Sequence, residues 1–302
     1  MVLKFVPKVS YYANFYFFVQ NLSEWHISNR KKHNEEWRSE LSFSDEADIC
    51  IREFRIIHNK YPFGDKYLGR PFFLNNDPWT TIGTLVEKDD FIKLKKVFST
   101  LEPYFKIIYQ KDEVILKKWA TIITKPDFTE NASNINNTLA NFYGCEPYNE
   151  NCTIFLLLST KEKNGGTANS INNKSVTLEL SRTTPDIKNE KLARNILWHE
   201  LIHLYFRNFL FYLLLEKSTN KNLALMSKID ELVASALLPC GLLKGDFLPE
   251  FQSLINKKDF NSRINSEKII KIQKLIYPYL QERKTLDMKL IQDLLIIANL
   301  NN

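Results

Sequence analysis

Residues 196–205 read Ile-Leu-Trp-His-Glu-Leu-Ile-His-Leu-Tyr, with histidines at positions 199 and 203. On an α-helix, residues four positions apart lie one turn apart on the same face, so both imidazoles can reach one ion. Glu200 is turned by about 100° from His199 around the helix, which places it beside such an ion. The residues on both sides of the motif are uncharged, as a buried helix requires. The stretch therefore predicts a buried helix with two metal-binding imidazoles.

A third protein ligand is expected, because a catalytic zinc site usually has three protein ligands and one water. Glu231, on a later helical stretch, is the best candidate. Ala234 and Ser235 stand about one turn beyond it on the same face. Small residues at these positions allow the two helices to approach closely enough for a carboxylate to reach the ion.

Two other acidic residues compete with Glu231 for this role. Glu216 lies too near the end of the first helix for its carboxylate to fold back. Asp230 points about 100° away from Glu231, so only one of the two can face the metal. The sequence favours Glu231, because a longer side chain spans two packed helices more easily.

The residues before the motif predict a short sheet. Residues 153–158 form an apolar run typical of a central strand. Residues 175–182 alternate apolar and polar side chains, which predicts a strand with one solvated face, and we expect it at the edge of the sheet. The polar stretch 161–174 predicts a loop. A helix start at Thr184-Pro185-Asp186 follows, and one helix is expected to run from there to about residue 216.

The rest of the chain is predicted to be mostly helical. Helices are expected at residues 10–25, 44–61 and 131–143, with two short helices within 89–109 divided near Pro103, a loop over 62–78, and helical structure over 221–302 broken near Pro239, Pro249 and Pro278. The expected fold class is α+β and mainly helical, with a small mixed sheet whose edge strand packs on the helix of residues 196–205. An N-terminal lobe of residues 1–186 and a second, helical lobe of residues 187–302 are expected to form one unit.

The composition limits the classes of partner. A chain of 302 residues, 44% of them hydrophobic, buries enough apolar surface to fold without a structural metal or disulfide. The net charge of +6 is mild, and we interpret the cluster Arg30-Lys31-Lys32-His33 as a solvated loop. No nucleic-acid signature is visible, and nucleic acid is not an expected partner.

The sequence does not determine the cellular compartment of the protein. No clear signal peptide is present, and no apolar run is long enough to span a membrane, which slightly favours the cytoplasm. Cys145 and Cys152 allow either a small disulfide loop in an exported protein or two free thiols. The sequence leaves the oligomeric state open.

The HExxH stretch together with Glu231-Leu-Val-Ala234 resembles the gluzincin branch of the zincin metallopeptidases, where a helix with Glu-x-x-Ala follows HExxH. The resemblance implies one zinc ion with His199, His203 and Glu231 as ligands and Glu200 as catalytic base. It also implies that residues 175–182 form the strand that aligns the substrate. The metzincin pattern would need Gly at position 206 and His at position 209, and both are Phe.

A second resemblance is to uncharacterised bacterial proteins whose active helix reads like HEFSHSFVNP. Residues 199–208 keep the two histidines and the glutamate, and Tyr205 stands where that pattern has Phe. Residues 141–144 and 21–25 also look similar. The closing Asn-Pro is replaced by Arg207-Asn208, and this resemblance implies no substrate.

The sequence thus predicts a zinc-dependent metallopeptidase that hydrolyses a peptide or protein substrate through a metal-bound water activated by Glu200. Tyr277, Tyr279 and Arg283 are candidates for stabilising the oxyanion. One alternative is a non-catalytic, zincin-like regulatory module that binds a metal or a partner. Another is a helical interaction protein in which the HExxH pattern is coincidental.

Overall fold

The computed structural model describes residues 3–24, 31–62, 67–126, 132–158, 165–169, 175–180, 182, 185–208, 210–237 and 266–299. The predictions made for Thr184, Pro239 and Pro249, and the side chains of the basic cluster at 30–33, lie outside this description. The expected fold class, α+β and mainly helical, is confirmed.

Twelve helices and four strands make up the described residues. The helices are α1 (Tyr11–Leu22), α2 (Lys31–Glu40), α3 (Asp45–Lys60), α4 (Gly69–Leu74), α5 (Pro78–Leu85), α6 (Lys88–Ile123), α7 (Ala132–Tyr143), α8 (Ile187–Asn208), α9 (Leu210–Ser218), α10 (Leu223–Leu237), α11 (Ser266–Gln281) and α12 (Met288–Asn299). The strands are β1 (Lys4–Val9), β2 (Asn151–Leu158), β3 (Gly165–Asn169) and β4 (Ser175–Leu180).

The four strands form one mixed sheet in the order β1-β2-β4-β3. The strands β1, β2 and β4 are parallel, and β3 is antiparallel to β4. The prediction that residues 175–182 form the edge strand is therefore wrong, because β4 lies between β2 and β3. The stretch 161–174, predicted to be a loop, contains the edge strand β3. Its glycines and polar residues carry no strand pattern, and pairing with β4 determines its conformation.

The expected solvated face of β4 is also wrong. Ser175 and Thr177, the polar members of the alternating pattern, are 0% and 7% exposed, and Glu179 is half-buried. Small hydroxyl side chains can be buried at modest cost when they find partners, so alternation alone does not reveal a strand that is covered on both faces.

Helices cover both faces of the sheet. Phe5 of β1 packs edge-on against Trp198 of α8, with ring centroids 5.8 Å apart. Phe155 of β2 packs against Phe73 of α4 on the opposite face, with centroids 5.1 Å apart. The two faces differ because Phe5 pairs with Cys152, three residues before Phe155. The helix with the HExxH motif thus lies directly against the sheet.

The structure has one long helix, α6, where two short ones were predicted, and Pro103 lies inside it. Pro103 is exposed, while Leu101 and Phe105 on either side are fully buried. The same apolar stripe therefore continues past the proline, and its packing outweighs the lost hydrogen bond. The break predicted near Pro278 is wrong for the same kind of reason, because exposed Pro278 lies within α11.

Local signals placed several helix ends correctly. Ser10 and Ser44 cap α1 and α3 by accepting from the Ala13 and Ala47 amides, each at 3.2 Å. The helix predicted over 131–143 is α7, and Gly144 follows it with a φ of +69°. The stretch 62–78, predicted to be a loop, contains the short helix α4.

Candidate metal centre

The helix α8 is fixed at its start by Asp186, whose carboxylate accepts from the Asn189 amide at 2.7 Å. Asp186 is therefore its cap, where the sequence favoured Thr184. Buried Leu197, Trp198 and Ile202 hold the helix against the core. The single helix expected to residue 216 is described as α8 and α9, with residue 209 between them outside the described residues.

Three side chains from α8 and α10 converge at one point. The Nε2 atoms of His199 and His203 are 3.1 Å apart. The Oε1 atom of Glu231 lies 3.3 Å from His199 Nε2, and its Oε2 atom lies 3.3 Å from His203 Nε2. In the described part of the chain these three residues form a group that can hold a metal ion.

The spacing of these donors fits a small divalent cation. Ligand atoms about 2.0–2.2 Å from a tetrahedral zinc lie about 3.3–3.6 Å from one another. The two imidazole nitrogens, 3.1 Å apart, are slightly closer than that range, and each lies 3.3 Å from a different oxygen of the Glu231 carboxylate, at the lower end of that range. Two imidazoles and one carboxylate are also a donor set that zinc accepts readily.

The position of Glu231 follows from how closely α10 packs on α8. Ala234 and Ser235 are 0% and 1% exposed, in keeping with the small residues expected where the two helices meet. The Glu231 side chain itself is 43% exposed, whereas those of His199 and His203 are 13% and 12% exposed. The group therefore opens to solvent on the side of the carboxylate.

Asp230 has a role that the sequence did not reveal. Its Oδ2 atom lies 2.6 Å from His203 Nδ1, the ring nitrogen that does not face His199. A carboxylate at this nitrogen fixes the tautomer and the orientation of a metal-binding imidazole. Asp230 and Glu231 thus contact opposite nitrogens of one ring. The pair of adjacent acids was the available signal, but it was interpreted only as a competition for the ion.

The charges around His203 are strongly coupled. Burial lowers the pKa of His203, but the charge and hydrogen bond of Asp230, together with Glu231 and Glu200, outweigh it and raise that pKa well above its ordinary value. Burial raises the pKa of Glu231, but the two imidazoles outweigh it and lower that pKa well below its usual range. In the absence of an ion, these carboxylates favour a proton on the histidine, and a bound cation would meet the same negative field.

Glu200 is buried in α8, with 8% of its surface exposed. It does not belong to the group of three, yet its charge contributes to raising the pKa of His203. Glu200 is thus close enough to His203 to act on its imidazole electrostatically, and the residue is largely shielded from bulk water.

The other predicted residues lie elsewhere. Glu216 faces Lys221 at 3.9 Å and is not in the group. Tyr279 donates to Asp287 at 2.9 Å and, with Arg283, lines a surface cleft whose lining includes neither imidazole. Tyr277 is 42% exposed. The structure therefore brings none of the three oxyanion candidates into the metal group.

Two further expectations can be compared with the described residues. Cys145 and Cys152 are free thiols, and burial raises the pKa of each to about 12. No helix in the described ranges combines the length and the apolar character that a membrane span needs.

Comparisons with family models, with curated proteins and with solved structures give no match for this chain.

Proposed function

We propose that this protein is a zinc-dependent metallopeptidase. The observation that carries the proposal is the convergence of His199, His203 and Glu231 on one point, with buried Glu200 next to one of the imidazoles in the sequence. Two imidazoles, one carboxylate and a neighbouring acid outside the ligand set are the residue types that metal-assisted hydrolysis requires.

The three converging side chains would hold the metal, and Asp230 would keep His203 in the tautomer whose Nε2 is free to bind. A zinc ion held by these residues would supply Lewis-acid chemistry, activating a water molecule near neutral pH and polarising a carbonyl group. Glu200 would accept a proton at its carboxylate and deliver it to the leaving nitrogen.

The edge strand β3 offers a place for an extended substrate. It is the last strand of the described sheet and it packs on α8, which carries both histidines. A peptide can pair with the free side of such a strand through backbone hydrogen bonds, which aligns it without a strict side-chain requirement. The substrate-aligning role that the gluzincin resemblance implied for residues 175–182 would therefore belong to residues 165–169.

The decisive experiment compares Glu200→Gln with the wild-type protein on a pool of unrelated peptides. We expect the variant to retain its zinc and to lose peptide cleavage by about 100-fold or more, because only the proton acceptor is removed. Glu190→Gln, the same change in the first turn of α8, should cleave at the wild-type rate.

Two outcomes would count against the proposal. Cleavage by Glu200→Gln at the wild-type rate would exclude Glu200 as the base. A wild-type protein that binds zinc tightly and cleaves no peptide would instead favour a non-catalytic module that binds a metal or a partner.

A further inference from the structure

A polar cleft lies between α7 and the end of α11, and it has a volume of about 360 Å³. This volume falls within the range of small-molecule sites. One wall consists of four polar side chains on the exposed side of α7, Asn134, Asn137, Thr138 and Asn141. The facing wall includes Arg283 and Lys284, and no acidic residue is among the described residues that line the cleft. The cleft therefore combines positive charge with many amide donors and acceptors.

The polar groups in this cleft are available to a ligand. In the described structure, no protein partner is found for the side chains of the four α7 residues or for the guanidinium of Arg283. Lys284 differs, because it forms an ion pair with Glu282. Arg283 is thus the cation that a bound molecule would meet without first breaking an ion pair.

The backbone of Arg283 is in a conformation that seldom suits an arginine. The Lys284 amide donates to the Tyr279 carbonyl at 2.8 Å and the Arg283 amide donates to the Leu280 carbonyl at 3.4 Å. This is the pattern of a helix end at which glycine normally occupies the left-handed position. Arg283 occupies it with a φ of +52°. Arg283 keeps this strained conformation while its side chain lines the cleft, which is consistent with a function for that side chain there.

The cleft walls are held in place by contacts that do not involve the lining side chains. The Leu286 amide donates to the Phe142 carbonyl at 2.8 Å, and the Thr285 hydroxyl donates to the Asn141 carbonyl at 2.9 Å. Gly144 lets the two walls approach, because a Cβ there would lie 2.7 Å from Thr285 Cγ2. The cleft is therefore built before any ligand arrives, which reduces the cost of binding.

We propose that this cleft binds a small oxyanion that also carries hydroxyl groups, with Arg283 contacting the anion and the asparagine side chains of α7 contacting the hydroxyls. A guanidinium binds a phosphate or carboxylate through two parallel hydrogen bonds. Asparagine amides donate and accept at once, and this suits hydroxyl groups, which do the same. The site is separate from the metal centre and does not depend on the proposed hydrolase activity.

Isothermal titration calorimetry of the protein tests the proposal, with glucose 6-phosphate as the probe and inorganic phosphate and glucose as the comparison ligands. We expect saturable binding of glucose 6-phosphate, with weaker binding of the other two. Arg283→Gly should weaken it about tenfold or more, since a charge-assisted pair is lost. The same variant should unfold at a higher temperature, because glycine relieves the left-handed backbone.

Two further variants make the result specific. Asn137→Leu removes one α7 amide and should also weaken binding of glucose 6-phosphate. Lys221→Gly replaces another basic residue at positive φ, outside the cleft, and should leave binding unchanged.

Three results would overturn the proposal. The first is no saturable binding of glucose 6-phosphate. The second is an affinity of Arg283→Gly and Asn137→Leu equal to that of the wild type. The third is binding of inorganic phosphate as tight as binding of glucose 6-phosphate.

Discussion

The Oδ2 atom of Asp230 lies 2.6 Å from Nδ1 of His203, while Nε2 of the same ring faces His199 and Glu231. Both nitrogens of this imidazole are therefore engaged, one by a carboxylate behind it and one by the candidate metal group. Such a partner orients the ring and makes it a stronger ligand.

Asp230→Asn tests this relationship. The amide keeps the size of the side chain but removes the charge that fixes the tautomer of His203, so we expect zinc affinity to fall by about 10–100-fold. Competition with a fluorescent chelator measures the affinity directly. Asp293→Asn on α12 is the matched control and should bind zinc as the wild type does. An unchanged affinity in Asp230→Asn would show that this carboxylate does not support the ligand.

Arg182, which follows β4, is the centre of an ion-pair cluster that is buried at Arg182 and Asp112 and partly exposed at Glu36 and Glu40. It contacts Asp112 of α6 at 2.7 Å, and Glu36 and Glu40 of α2 at 2.9 and 2.8 Å, with its own side chain 5% exposed. Arg182→Met would leave three carboxylates without their cation, and we expect a loss of about 3 kcal/mol in the free energy of unfolding. Urea denaturation measures this loss.

A control for that change is Arg38→Met. Arg38 pairs with Asp48 at 2.8 Å, but the two side chains are 40% and 36% exposed. An exposed pair contributes no more than about 1 kcal/mol, so the control should lose little stability. Equal losses in the two variants would contradict a structural role for the buried cluster.

Asp112 gives the stability a defined dependence on pH. Burial raises its pKa from 3.8 to about 6. The attraction of Arg182 lowers this pKa, and the repulsion of Glu40 and Glu36 raises it further, but burial has the largest effect. The folded state therefore binds this proton more tightly than the unfolded state does. The resulting stabilisation is complete below pH 3.8 and is lost as the pH rises through about 6.

Asp112→Asn removes this titration. As the pH rises from acidic to neutral, the free energy of unfolding of the wild type should fall by on the order of 2 kcal/mol relative to that of the variant. Unfolding of both proteins by urea across this pH range measures the difference. A difference that stays constant with pH would show that Asp112 ionises at its ordinary pKa.

Pro103 is an exposed proline within α6, where it removes one helical hydrogen bond. We expect Pro103→Ala to raise the free energy of unfolding by about 1–3 kcal/mol. Pro78, at the start of α5, occupies a position that suits proline, so Pro78→Ala should bring no such gain. A destabilised Pro103→Ala variant would mean that a bend in α6 is needed for packing.

The sequence predicted best what depends on local signals. The helical spacing of the two histidines, the starts of α1 and α3 and the end of α7 each depend on signals contained within a few residues. The convergence of Glu231 on the histidines was also foreseeable, because small residues one turn later indicated a close helix contact. The roles of these residues in catalysis stay predictions.

What the sequence missed depends on contacts between distant residues. The edge strand β3 exists because it pairs with β4, and its own polar residues do not predict a strand. Thr177 and Ser175 are buried because helices cover the sheet, and the alternation of residues along the strand gives no sign of those helices. Asp230 was set aside because helix geometry allowed only one of two adjacent acids to face the ion, and its contact with the other side of His203 requires the packed structure.

The most direct test of a metal centre formed by His199, His203 and Glu231 is elemental analysis of the purified, dialysed protein beside His199→Ala and Glu231→Ala. The proposed zinc centre predicts about one zinc per wild-type chain and almost none in either variant, while each variant remains folded by circular dichroism. A wild-type protein without a bound divalent metal, or variants that retain the full amount, would contradict it.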